Sequence, residues 1–392
     1  LYIFFFSNFF INLNCKFRQI ENFSDIFIII IMGNGPSAID TSIPDTQKAF
    51  YIVEKNADFN KIKVEVRTIP VPKPSHGQVL VRVVAAPVNP SDYGKWARPS
   101  ENDKPSIAGL EGSGVVVASG GGYTANGMIG KNIGFVNVKN GGTYQQYVIV
   151  DASFGAFPLP STLKCEDAAS HFVNPYTACG FIDTVRKRHT GNSSNVGFVH
   201  TAACSQLGQM LIKLAKEKNV TLINVVRRQE QVDILTKIGA ENIINTSDAD
   251  WKEQLGNKIK ELGINVTFDA ISGEMSGILT GLLPNGGTHF AYGTLGGRTC
   301  EGVLMTDLSY NKKKFEGWLL TNWILEHGKG LSTLMRINAA TKTVHRGLEN
   351  NGWSSSKYLD CKLDNMWEMF LDMKMKSGFT GKKLRIRFDQ EE

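Results

Sequence analysis

The sequence predicts an α/β protein in which a doubly wound parallel sheet follows a lobe of short strands. Three observations carry that expectation. From about Cys165 onward, apolar strand-like runs alternate with amphipathic helix-like runs, the rhythm of βαβ units. Between Gln47 and Pro160, short alternating runs are separated by Gly and Pro clusters, as in a small barrel or sandwich. Finally, "NVGFVHTAACSQLGQMLIKLAK", residues 195–216, reads as a buried strand, a tight turn and an amphipathic helix.

A chain of 392 residues is long for one core, so two lobes are expected. With 42% hydrophobic and 20% charged residues it is globular and not disordered. The net charge of +6 is modest, and the basic residues are scattered among acids with no aromatic-interleaved basic face. Nucleic acid is therefore not the expected partner; a phosphorylated small molecule suits the charge. The six cysteines, Cys15, Cys165, Cys179, Cys204, Cys300 and Cys361, form no CxxC pair. Reduced thiols in the cytoplasm are expected, with no metal cluster.

Residues 1–31 differ in composition from the rest of the chain. Phe, Ile and Asn dominate, and the two apolar runs are too short to span a bilayer and are broken by Lys16, Arg18, Glu21 and Asp25. No integral membrane span is expected. We read the segment as translated leader, with the start at Met32; a hydrophobic anchor is the rival reading. From Met32, "MGNGPS" fits an N-myristoylation pattern on Gly33, and one acyl chain anchors only weakly. Residues 1–46 are expected to be a disordered tail.

The first lobe, 47–164, contains "IKVEVRTI", "QVLVRVVAAPV", "SGVVVASG", "NIGFVNV" and "TYQQYVIV" as strands. "PVPKPSHG" and "GGGYTANGMIGK" supply turns. The stretch from Ser161 to Lys187 reads as helical pieces broken at Pro175. In the second lobe, 165–334, "NVGFV" precedes a helix whose Leu207, Met210, Leu211, Leu214 and Ala215 make one apolar stripe. "TLINVV", "ENIINT", "NVTFDAI", "THFAYG" and "FEGWLL" follow as strands. "QEQVDILTKIG", "DADWKEQLGNKIKELG" and "MSGILTGLLPNGG" supply the intervening helices. Residues 335–392 remain as a C-terminal return.

The turn after "NVGFV" has the layout of a dinucleotide-binding turn with substituted glycines. In GxGxxG spacing the positions are Ala203, Ser205 and Gly208, with Leu207 in the first helical turn. Ala and Ser are small enough to approximate the first two roles, and the helix N-terminus offers free N–H groups to a phosphate. An ordinary structural turn has the same appearance. Nineteen and twenty residues after Gly208, where an NAD-binding chain carries Asp or Glu, stand Arg227 and Arg228. Guanidinium groups there favour a 2′-phosphate, hence NADPH over NADH. Cys204 lies in the turn, where the helix dipole is expected to lower its pKa. His171, His200 and His289 have no relay partner in sequence and are read as structural.

Several motifs over residues 47–392 resemble the medium-chain dehydrogenase/reductase superfamily. "AAPVNPSDYGKW" resembles its NPSD segment, "AGLEGSGVVVASG" its G-x-E-x-x-G-x-V segment, and "NPYTA" its N-P-x-T-A helix. "KFEGWLLTNW" is similar to a segment of enoyl thioester reductases, and "GKKLRIRF" to the last strand returning to the first lobe. The resemblance implies a GroES-like β-barrel lobe beside a Rossmann lobe, and a homodimer through the cofactor lobe. Where zinc enzymes carry G-H-E, this chain has Gly109, Leu110 and Glu111, so it resembles the zinc-free branch of quinone oxidoreductases and 2-enoyl thioester reductases. That branch implies hydride transfer from NADPH to a conjugated carbonyl (enoyl thioester or enone) or a quinone. A non-catalytic NADPH-binding protein is the alternative of a different class. Tyr93 is the candidate proton or oxyanion donor. By resemblance, Asn89 and Asp92 shape the nicotinamide pocket, Asn174 and Thr177 face the cofactor, Tyr292 and Gly293 end the fifth strand, and Trp318 lies beside the nicotinamide.

Overall fold

The computed structural model describes residues 43–388 apart from 138–140, 190–194, 327, 329–330, 351, 354–356 and 378–380. The leader, Met32 and Gly33 lie outside the described residues. From Pro44 onward the chain forms one compact unit.

The first lobe is built from β1 (Thr46–Glu54), β2 (Lys63–Pro70), β3 (Gln78–Pro87), β4 (Ser106–Ile107), β5 (Glu111–Ser119), β6 (Asn132–Val136), β7 (Tyr147–Asp151) and β8 (Ala156–Pro158). Every strand expected from sequence in this lobe forms. The second lobe contributes β9 (Gly197–His200), β10 (Thr221–Val226), β11 (Ile243–Asn245), β12 (Val266–Asp269), β13 (Thr288–Ala291) and β14 (Lys314–Gly317). β15 (Lys357–Cys361) and β16 (Lys382–Arg387) complete the set.

β3 organises the first lobe. It pairs antiparallel with β5, β7 and β16, and β15 lies parallel to β16 at the sheet edge. The return segment thus closes onto the lobe that the chain left about 200 residues earlier, as expected of "GKKLRIRF". Leu384 and Ile386 point into one core with Phe50, Val88, Tyr93 and Phe370. Lys383 and Arg385, one residue out of phase, face the other way, and both are buried.

The second lobe is a six-stranded parallel sheet in the order β11-β10-β9-β12-β13-β14. Chain order reverses between β9 and β12, so the crevice beyond their carboxyl ends is the topological switch point. Helix Gln206–Glu217 buries the predicted stripe, with Met210, Leu211, Leu214 and Ala215 at most 2% exposed.

Two details depart from the sequence reading. Helix Val173–Arg188 runs through Pro175 without a break. Pro175 is the third residue, inside the first turn, where its missing N–H has no intrahelical acceptor to lose. Helix Leu331–Asn350 straddles the expected boundary at 334. Its Ala340, Val344 and Leu348 join the core of the second lobe, so the return proper begins at β15. Among the described residues no helix is long and apolar enough to cross a membrane.

Candidate functional site

The turn after β9 is built for close approach. Ser205 caps the following helix, its hydroxyl oxygen accepting from Gly208 N at 3.1 Å. That leaves the hydroxyl proton free to donate outward, so capping and phosphate contact are compatible. A Cβ on Gly208 would stand 2.0 Å from the Ala203 carbonyl oxygen, so only glycine lets helix meet strand here. Ala203 is fully buried, and Leu207 sends its side chain into the core, leaving backbone N–H as its offer to a ligand. Ala202 takes a left-handed φ of 52°, a local strain at the tightest point.

Arg227 and Arg228 follow β10 at the same carboxyl edge of the sheet, with Arg227 exposed and Arg228 at the cap of the next helix. Ser247 donates to the Arg227 carbonyl at 2.6 Å, fixing the backbone while the guanidinium stays at the surface. Cys204 corrects the sequence reading: burial, with Glu230 nearby, pushes its thiol up to about 11. Desolvation outweighs the helix dipole, and the group is a thiol at neutral pH.

The lobes meet over a buried polar network that joins Asn89 and Asn174 to the turn after β9. Helix Pro90–Trp96 starts with a capping box, Asp92 Oδ2 accepting from Asn89 N at 2.8 Å. Asn89 Nδ2 donates to Glu111 Oε1 at 3.0 Å, and Glu111 Oε2 accepts from the N–H groups of Phe172 and Val173, both at 2.8 Å. Lys383 Nζ, from the return strand, donates to Asn89 Oδ1 at 2.7 Å and to Gln206 Oε1 at 2.8 Å. Gln206 Oε1 also accepts from Asn174 Nδ2 at 2.8 Å, and Gln206 Nε2 donates to Tyr358 at 3.1 Å.

Burial dominates the ionisation of this cluster. It pushes Asp92 up to about 7, with the nearby Glu111 charge adding to it against the hydrogen bonds from Asn89 and Tyr144. It brings Lys383 down to about 8, opposed by Glu111 and Asp92. Asp92 Oδ2 also accepts from Tyr144 at 3.0 Å, whereas Oδ1 is buried with no hydrogen-bond partner. With both donors on Oδ2, a proton on the carboxyl belongs on Oδ1. Asp92 lines a cavity of about 220 Å³, with Lys55, Lys95, Trp96, Ser106 and Leu110. The second lobe reaches the same helix, because Arg298 donates to the Ala97 carbonyl.

The other predicted residues are placed as follows. The Tyr93 ring packs in the first-lobe core, 6.2 Å from Phe59 and 5.5 Å from Phe370, and its hydroxyl is pushed well up by burial. Trp318 Nε1 donates to Thr184 at 3.1 Å, and its indole packs edge-on against Phe181. Thr177 donates to the Val173 carbonyl at 2.6 Å within its own helix. Tyr292 shares a 2.7 Å hydrogen bond with His200 Nε2, so that histidine has a partner that sequence reading did not find. At Gly293 a Cβ would meet the Ala270 carbonyl oxygen at 2.7 Å, and its own carbonyl accepts from Ser272. Asn89, Asn174 and the Ser205–Gly208 turn are thereby brought together, while Tyr93 and Trp318 sit in aromatic cores.

Gln206, Lys383, Tyr144 and Tyr358 were missed from sequence. One signal was available: Lys383 and Arg385 are cations at period two inside a strand that otherwise reads as core. Among the described residues no three His, Cys, Asp or Glu side chains group as metal ligands.

Comparisons with known proteins bear on the same two lobes. A family model described as "Alcohol dehydrogenase GroES-like domain" matches residues 75–161, and one described as "Zinc-binding dehydrogenase" matches residues 207–334. A mitochondrial enoyl-[acyl-carrier-protein] reductase of Arabidopsis thaliana is 27% identical, covering 65% of this chain and 68% of that protein. Prostaglandin reductase-3 of Mus musculus is 25% identical, covering 76% of this chain and 79% of that protein. Among solved structures, a protein of Mesorhizobium loti assigned as an NADPH:quinone reductase aligns with a TM-score of 0.76 and 28% identity. It covers 89% of this chain and 100% of that one.

Proposed function

The chain belongs to the medium-chain dehydrogenase/reductase superfamily, and from that premise we propose that it is an NADPH-dependent reductase of conjugated carbonyls. The observation that carries the reading is the Ser205-capped helix N-terminus at the switch point, with Arg227 and Arg228 at the end of the adjacent strand. This cradle suits the dinucleotide: Gly208 lets the helix N-terminus close on the Ala203 turn, and two arginines stand where a carboxylate would repel a 2′-phosphate. When bound, the reduced nicotinamide supplies the hydride.

The chain's own residues do the rest. The first-turn N–H groups and the Ser205 hydroxyl hold the pyrophosphate, and Arg227 and Arg228 hold the 2′-phosphate. Asn89 and Asn174 border the lobe junction. Leu110 beside Glu111 leaves the site without a metal-binding donor at that position. An enoyl thioester or enone suits such a site, because conjugation spreads the developing charge into an enolate that hydrogen-bond donors can stabilise. The donor role that the sequence assigned to Tyr93 falls more naturally to its neighbour Asp92, a residue of the cavity lining whose carboxyl is raised by burial to about 7.

Quinone reduction is the second reading, favoured by the likeness to the Mesorhizobium loti protein. NADPH oxidation followed with an enone, a short enoyl thioester and a quinone ranks the two. Binding of NADPH, read by its fluorescence, without turnover of any acceptor would overturn both and leave a non-catalytic binder.

A further inference from the structure

The buried network between the lobes does more than satisfy its members. Its geometry is a chain of hydrogen bonds that starts on the phosphate-turn helix and ends on the catalytic lobe. Gln206 is the first residue of helix Gln206–Glu217, and its side chain is the point where three elements converge. The return strand reaches it through Lys383, helix Val173–Arg188 through Asn174, and β15 through Tyr358. Lys383 then hands the connection to Asn89, which is both the cap of helix Pro90–Trp96 and a partner of Glu111. Glu111 returns it to the backbone of Phe172 and Val173. The loop closes on itself.

We propose that Lys383 and Gln206 are positioning residues that lock the cofactor's phosphate turn in register with the substrate lobe. The inference rests on the reading of the Ser205–Gly208 turn as the phosphate site. Neither side chain needs to touch a reacting atom. Each fixes where the nicotinamide ends up relative to the cavity beside Asp92, since hydride transfer is sensitive to displacements of about 1 Å. A lysine suits this junction because its ammonium can bond two neutral amide oxygens at once, with Glu111 and Asp92 close enough to favour the charge. Once buried, such a network holds one geometry, because any displacement leaves a charge or an amide unpaired.

The charged groups facing Lys383 are Glu111 and Asp92 from the first lobe, with Tyr358 joined to it through Gln206. Burial brings the ammonium down to about 8, so the lock weakens as pH rises through that value.

Gln206→Leu removes the acceptor for Lys383 and Asn174 while leaving the phosphate-turn backbone and Ser205 unchanged. The expected result is a fall in kcat on the order of 100-fold with NADPH affinity changed less than about threefold. Gln206→Glu, which keeps an acceptor for Lys383 and Asn174, should restore the amide protection at Phe172 and Val173 that Gln206→Leu loses. Lys383→Met should leave a single alkaline fall in kcat, that of Asp92, where the native protein shows a second one from Lys383. Hydrogen exchange supplies a readout free of turnover: the Phe172 and Val173 amides should lose protection in both Gln206→Leu and Lys383→Met. Unchanged exchange at those amides, or a Gln206→Leu enzyme with native kcat and pH profile, would overturn the proposal. A native protein that binds NADPH but reduces no acceptor would overturn the functional reading instead, and the exchange result would still decide whether the lock exists.

Discussion

His171 is a buried imidazole whose two nitrogens both lack hydrogen-bond partners. Its ring lies 5.4 Å from Phe157, 6.0 Å from Tyr176 and 5.3 Å from His345. Burial, reinforced by His345, lowers its pKa from 6.5 to about 3. In the unfolded chain the group titrates at its ordinary value, so the folded state keeps it neutral while the unfolded state takes a proton. Stability from this group is complete above about pH 6.5 and is lost as pH falls toward about 3. The full interval of about 3.5 units is worth on the order of 5 kcal/mol, and at pH 5 the loss is about 2 kcal/mol. Against a total stability of about 5–15 kcal/mol that is readily measured.

His200, also brought down to about 3 by burial, adds a second loss of the same sign. Asp92 runs the opposite way: raised to about 7, it favours the folded state in acid and gives up that contribution as pH rises through about 7. The native protein's net pH dependence therefore mixes opposing signs, and the informative quantity is a difference. His171→Leu, close in volume and free of nitrogens, should unfold at higher denaturant than the native protein at pH 5, with the advantage about 2 kcal/mol larger than at pH 8. Guanidinium titrations at the two pH values measure it. Parallel pH dependence in variant and native protein would refute the claim that His171 is buried neutral.

Gly208→Ala places a methyl group 2.0 Å from the Ala203 carbonyl oxygen, a backbone atom that cannot step aside. It should cost about 1–3 kcal/mol of stability and weaken NADPH binding at least about tenfold by fluorescence titration; native affinity would remove the turn from the cofactor site. The double change Arg227→Ala with Arg228→Ala should raise the KM for NADPH by about ten- to hundredfold while leaving that for NADH nearly constant, the loss of charge-assisted hydrogen bonds to one phosphate. Equal effects on both cofactors would rule out 2′-phosphate recognition.

The short strands of the first lobe, the alternating second lobe and the apolar stripe on helix Gln206–Glu217 were legible from sequence. Each is written in neighbouring residues, by a period of two or 3.6 and by turn chemistry. The tight turn between β9 and its helix was legible for the same reason, since Ala203, Ser205 and Gly208 lie within six residues. Pro175 misled because a break and a first turn look alike until the start of the helix is known. Cys204 misled because the helix dipole is local, whereas the burial that outweighs it is contributed by the surrounding fold. Tyr93 and Asp92 are adjacent on one short helix and both are buried, and sequence could not say which of them would border the cavity.

What the chain determined by itself was therefore its set of elements, their order and the tight turn after β9. Tertiary structure decided which polar groups share one buried volume. Lys383 stands 294 positions from Asn89 and 177 from Gln206, yet bonds to both. No local pattern encodes that meeting, because it exists only after the return strand has paired with β3 and excluded water from the junction. Exclusion of water is also what moves Asp92 and Lys383 toward neutrality, so the chemistry of the site is a property of the packed lobes rather than of any one segment.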